Sequence, residues 1–139
     1  IYFSEERNMS EDNQVTDEFT KKFTAASNEQ NLGLLMEFIA DDCIFMASVG
    51  SEIERTKWEG REQVEKGFAD LWDQYPDAHF DPVGKDFFAG DRGVAEWIFS
   101  GTRNSDGVKV KARGCDIFTF KDGKILVKNS MRKQTSPSA

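Results

Sequence analysis

The stretch GVAEWIFSGT (93–102), GVKVKARGCDIFTF (107–120) and GKILVKNSMRK (123–133) decides the fold. Each segment alternates apolar and polar residues with a period of two, the mark of a strand with one covered and one wet face. Between them stand Asn104-Ser105-Asp106-Gly107 and Lys121-Asp122-Gly123. Each holds an Asp-Gly pair, which favours a tight hairpin because both residues tolerate positive φ. HFDPVGKDFFAG (79–90) alternates in the same way and ends at the turn Ala89-Gly90-Asp91. The C-terminal half is therefore expected to be an antiparallel meander of three or four strands.

Upstream, the period becomes helical. Val15, Phe19, Phe23 and Ala26 line one face of a helix expected over 15–28, with Ser10 or Asn13 as candidate caps. A short second helix follows, capped by Asn31 and carrying Leu32, Leu35, Met36 and Ile39. CIFMASV (43–49) is dense in strand formers and ends at Gly50-Ser51. Gly60 then precedes REQVEKGFADLWDQY (61–75), where Val64, Phe68, Leu71 and Trp72 make one stripe and Pro76 stops the helix. Helices first and strands afterwards predict an α+β fold, with helices packed on one face of a mostly antiparallel sheet. Residues 1–13 read as a polar, acidic tail and 134–139 as a frayed end, leaving one domain over 14–133.

A chain of 139 residues, 38% of them hydrophobic, is long enough to bury a core without staples. Its 18 basic and 25 acidic residues leave a net charge of −7, which argues against nucleic acid as a partner. No stretch approaches the ~20 apolar residues of a membrane span, so no membrane partner is expected. The start shows no basic stretch followed by an apolar one, and the two cysteines, Cys43 and Cys115, sit in strand-like segments. That suits buried free thiols in a reducing cytoplasm. Two cysteines and the single histidine, His79, do not complete a usual zinc site. Phosphate loop, dinucleotide fingerprint, calcium loop and nucleophile elbow are all absent from the sequence, so neither metal nor cofactor is expected.

Asp116 is the candidate for chemistry. In the strand 108–120 the even positions are Val108, Val110, Ala112, Gly114, Asp116, Phe118 and Phe120, and only Asp116 is polar. The odd positions include Lys109, Lys111, Arg113 and Thr119. A carboxylate on the apolar face is desolvated, which favours its protonated form and suits general acid/base work. The competing reading is an aspartate held by backbone groups or an arginine; few partners are visible for it. His79 is a weaker acid/base candidate, its phase leaving it toward the pocket or toward solvent. Phe19, Phe23, Phe68, Trp72, Trp97, Phe99 and Phe118 point inward by phase, either as plain core or as the walls of a pocket for a flat apolar ligand, with Met46 beside them. Asp41 and Asp42 read as a turn pair, and Arg61 and Lys66 as a solvated helix face.

NLGLLMEFIADDCIF (31–45), WEGREQVEKGFADLW (58–72), YPDAHF (75–80), AGDRGVAEWIFSGT (89–102) and GCDIFTFKDGKI (114–125) together resemble the SnoaL-like branch of the NTF2-like superfamily. The resemblance runs over about residues 15–133. It implies a cystatin-like cone, a curved sheet wrapped around a helix with a pocket inside. Members include isomerases, polyketide cyclases, dehydratases and binding domains, and the resemblance also implies a homodimer. Against ketosteroid isomerase relatives, ADDCIFMASVGS (40–51) matches the segment of the general base, but Ala47 stands at the base position and Phe23 near the oxyanion tyrosine. Asp116 fills the position of the protonated aspartate, and it also matches the acid/base aspartate of the polyketide cyclases. The reading is a small-molecule-binding protein for an apolar or aromatic carbonyl compound, with cofactor-independent isomerase, cyclase or lyase chemistry. The alternative is a non-catalytic ligand-binding or dimerisation domain.

Overall fold

The computed structural model describes residues 15–134. In chain order they form α1 (Asp17–Asn28), α2 (Leu32–Glu37), β1 (Ile39–Met46), β2 (Lys57–Glu59), α3 (Arg61–Gln74), β3 (His79–Pro82), β4 (Phe87–Ala89), β5 (Arg92–Thr102), β6 (Lys109–Lys121) and β7 (Lys124–Arg132). The strands make one sheet in the order β2-β1-β7-β6-β5-β3, with β4 also paired to β5. Only β1 and β7 run parallel. The fold is α+β as expected, a large curved open sheet with the helices on its inner face.

Local chemistry explains most of the element ends. Thr16 caps α1 by accepting from the Phe19 N–H, while Ser10 and Asn13 lie outside the described residues. Asn31 caps α2 through the Leu34 N–H. Arg61 is not a plain solvated residue. Its guanidinium donates to the carbonyls of Ile39 at 2.6 Å and Met36 at 3.0 Å, tying the start of α3 to the end of α2. Asp122 and Gly123 both have positive φ, 51° and 75°, and close the β6–β7 hairpin in two residues.

The meander differs from its expected form in one place. HFDPVGKDFFAG does not make one strand but two short ones, β3 and β4, which pair with opposite ends of β5. The turn between them is clamped to α1. Asp17 accepts from the Asp86 N–H at 2.8 Å, and Thr20 and Lys21 both donate to the Asp86 carboxylate. Strand β1 also starts earlier than expected, at Ile39, so Asp41 and Asp42 fall inside it rather than in a turn.

The larger core cluster lies under α1 and α2 and the first part of α3, with Leu35, Ile39, Cys43, Val64 and Ile125 fully buried and Phe23, Phe45, Phe68 and Phe118 around them. A smaller cluster of Tyr75, Ala78, Trp97 and Phe99 sits at the other end of the sheet. Trp72 touches both. Each large side chain removed from water here contributes about 1.5–3 kcal/mol.

Candidate functional site

Between the second half of α3, the end of β1 and the inner faces of β5, β6 and β7 lies a cavity of about 760 Å³. That is within the range of small-molecule sites. Phe45, Phe68, Leu71, Tyr75, Phe80, Trp97, Phe99 and Val110 give it apolar walls. Phe80 meets Trp97 and Tyr75 meets Phe99 edge to face, at 4.9 and 5.2 Å between centroids, which sets these rings in fixed orientations.

Strand β7 supplies the polar wall. Lys128, Ser130 and Arg132 all line the cavity. They do so because β7 carries a bulge. Thr119 pairs with Val127, but the next residue, Phe120, pairs with Ile125, so Leu126 is left over. Ile125 points into the core, and an unbroken strand would send Val127, Asn129 and Met131 inward after it. The extra residue flips the phase and aims Lys128, Ser130 and Arg132 at the cavity instead.

Asp116 faces inward, as the alternation predicts, and is 7% exposed. It is not among the cavity-lining residues but stands directly behind them. Ser130 lies opposite it across the β6–β7 ladder and donates its hydroxyl at 2.6 Å. Trp97 Nε1 donates at 3.1 Å from β5, and Lys128 Nζ is 3.3 Å away. Lys128 also donates to Ser130 Oγ at 2.8 Å and rests over the Phe45 ring at 5.3 Å. The carboxylate thus has three partners where the sequence showed few, since two come from β7 residues hidden by the bulge. Lys128, Ser130 and Asp116 thus form a closed triangle of cation, hydroxyl and buried carboxylate, with Lys128 and Ser130 lining the cavity and Asp116 behind them.

The other candidates divide. Met46, Phe68, Trp97 and Phe99 line the cavity. Phe19, Phe23, Trp72 and Phe118 are not among its lining residues. Phe19, Phe23 and Phe118 fill the opposite half of the interior, where α1 crosses the sheet, and Trp72 bridges the two clusters. Phe23 packs on Phe38, Phe68 and Phe118, Phe19 on Phe38 and Phe120, and Trp72 stacks on Phe68 at 5.8 Å. His79 stands on the outer phase of β3. Its side chain is 49% exposed and Nε2 lies 3.1 Å from Asp81, so the structure does not bring it to the cavity. Ala47, which the resemblance sets at the isomerase base position, lines the cavity. Among the described residues no three His, Cys, Asp or Glu side chains gather as metal ligands, and no helix is long and apolar enough to cross a membrane.

Solved structures share this architecture. Bal32a, from a soil-derived mobile gene cassette, matches with a TM-score of 0.74 at 18% identity, over 84% of this chain and 88% of that one. A protein from Catenulispora acidiphila with a ketosteroid isomerase-like fold, in complex with trimethylamine, matches with a TM-score of 0.70 at 19% identity, over 87% and 88%. TerC, co-crystallised with polyporic acid, matches with a TM-score of 0.70 at 14% identity, over 84% and 89%. At these identities the likeness is one of fold. No curated protein matches the chain. The sequence profile of the SnoaL-like domain matches residues 20–127, and the chain belongs to that family.

Proposed function

We propose that the protein binds a small, flat, apolar or aromatic carbonyl compound in this cavity and moves a proton on it without a cofactor, as an isomerase, cyclase or lyase does. The observation that carries this reading is the Lys128–Ser130–Asp116 chain at the wall of an aromatic cavity. A carbonyl oxygen beside Lys128 has its developing negative charge stabilised by the ammonium group. Ser130 Oγ then takes the proton from the neighbouring carbon as its own hydrogen passes to Asp116. Return along the same path delivers the proton to a different atom of the substrate. Asp116 acts through Ser130 here, and Trp97 holds the carboxylate in place. The aromatic walls exclude water and strengthen each of these interactions.

The second reading is non-catalytic binding. It is favoured by the full set of partners on Asp116 and by Ala47 and Phe23 at two isomerase positions. A homodimer belongs to either reading through the family resemblance. The two free thiols, Cys43 and Cys115, fit a reducing compartment such as the cytoplasm.

The test is deuterium uptake from D2O at the carbon beside the carbonyl of an aryl ketone such as tetralone, followed by NMR. The proton-moving reading expects uptake well above the buffer rate, reduced about 100-fold or more in Ser130→Ala and Asp116→Asn. Binding of the ketone with uptake at the buffer rate is the result of the non-catalytic reading.

A further inference from the structure

The charge lining the cavity is opposite to that of the chain. The whole sequence carries −7, yet the half-buried cations of the lining, Arg103, Lys128 and Arg132, stand against a single acidic residue, the exposed Asp70. Two of these cations are already matched, Arg103 by Asp106 at 3.0 Å and Lys128 by Asp116 at 3.3 Å. Arg132 is half-buried, and among the described residues it has no carboxylate within ion-pair reach. Its guanidinium lies 5.0 Å from the centroid of the Phe99 ring. Cation–π attraction holds the guanidinium over the ring face and leaves its N–H groups for a bidentate acceptor. A half-buried arginine held over a ring with no carboxylate partner is suited to receive an anion.

Arg132 and Lys128 lie on the same face of β7 with Ser130 between them, their Cα atoms about 13 Å apart at strand spacing. The wall near them is apolar, with Phe99, Trp97 and Phe45. Lys109, Lys111 and Lys133 are exposed at the rim, the two β6 lysines on the outer phase with His79, so the cations that face the interior are Lys128 and Arg132 on β7, with Arg103 beside them.

We infer that the ligand of this cavity is an organic anion: a flat apolar skeleton carrying a carboxylate or an acidic enol, seated with its anionic group on the Arg132 fork and its ring system along the aromatic wall. This rests on the cavity being the ligand site, and it adds the charge of the ligand and the residue that reads it. Arg132 is a specificity-determining residue in this account. The proton-moving end of the site, at Lys128 and Ser130, is separate from it.

Naphthoate and its neutral isostere naphthamide test the inference, titrated into the full chain by calorimetry at low and high NaCl. The expected result is that naphthoate binds roughly tenfold tighter than naphthamide at low salt, and that added salt erodes this preference while sparing naphthamide. Arg132→Gln is expected to remove the preference, weakening naphthoate about tenfold and naphthamide much less, with an unchanged circular dichroism spectrum showing that the variant is folded. Equal binding of the two compounds by the wild-type chain, or a preference that survives in Arg132→Gln, overturns the inference while leaving the cavity as a ligand site. Binding of neither compound overturns both the inference and the aromatic cavity reading beneath it. Where Arg132→Gln does not fold, the salt dependence on the wild-type chain decides the charge of the ligand, and Arg132→Lys, which keeps the charge and loses the fork, is expected to weaken naphthoate alone.

Discussion

Asp116 owes its setting to a residue with no side chain. Gly114 lies directly across from Trp97 in the β5–β6 ladder, and a Cβ there would sit 2.5 Å from the indole ring and 2.4 Å from the Met131 carbonyl. The missing methyl is what lets Trp97 lie flat along the sheet with its N–H on Asp116. Trp72 gives the contrast, because its Nε1 is buried with no hydrogen-bond partner among the described residues. Trp97→Phe and Trp72→Phe remove the same atoms, but the first breaks a bond to a charged acceptor and the second deletes an unmet donor. Trp97→Phe is therefore expected to cost about 2 kcal/mol more in urea unfolding. Equal costs would mean that the indole of Trp97 does not hold Asp116. At this scale the sequence was half legible. The inward phase of Asp116 could be read from Val110, Ala112 and Phe118 around it. Its partners could not, since Lys128 and Ser130 sit beyond a bulge that alternation alone does not announce.

Elements were more legible than their edges. Periodicity located the three helices, and the two Asp-Gly pairs located the turns that bound β6. Strand β2 was missed, and β3 and β4 were read as one strand, for a physical reason: all three are held by neighbours distant in sequence rather than by their own pattern. Asn28 shows how. Its side-chain amide donates to the Phe80 carbonyl and accepts from the Phe80 N–H, both at 2.9 Å, so the end of α1 acts as one more rung for the edge strand β3. Asn28→Ala is expected to cost about 1–3 kcal/mol and to speed hydrogen exchange at the Phe80 amide more than at the β6 amides. Unchanged protection at Phe80 would show that β3 is held by its pairing to β5 alone. The same logic governs the cavity walls. Phe19, Phe23, Phe68, Trp72, Trp97, Phe99 and Phe118 look alike on the page of sequence, and only the crossing of α1 over the sheet decides which become core and which become pocket.

Across the whole molecule, charge organisation sets both stability and selectivity. Several carboxylates are held below their ordinary range: Asp17 by the Asp86 N–H and Lys21, Asp42 by Lys121, Asp77 by the Thr102 N–H and hydroxyl, and Asp106 by the Val108 N–H with Arg103 also contributing. A depressed acid stabilises the fold above its unfolded value of about 3.9 and loses that contribution as pH falls through the lower folded value. Burial pushes the Cys43 and Cys115 thiols up, with the charges of Asp116 and Glu96 adding to the effect at Cys115. Lys21 is raised as well, burial being outweighed by its hydrogen bonds to Asp86 and Asp17, and Lys121 is raised by Asp42. Raised groups stabilise fully below their unfolded values and lose that contribution as pH rises through the folded ones, from about 8.5 for the thiols and about 10.4 for the lysines. The urea midpoint is therefore expected to be flat from about pH 5 to 8 and to fall on both sides. A midpoint that rises below pH 4 would contradict these assignments.

The central claim is that the cavity beside the Lys128–Ser130–Asp116 chain is where this protein meets its ligand. Intermolecular nuclear Overhauser contacts to a bound aryl ketone test it most directly. Contacts are expected from the ketone's ring protons to Met46, Phe68, Val110 and the Lys128 side chain, with none to Phe19 or His79. Contacts clustered at His79 or on the outer face of the sheet, with the cavity signals unmoved, would contradict it.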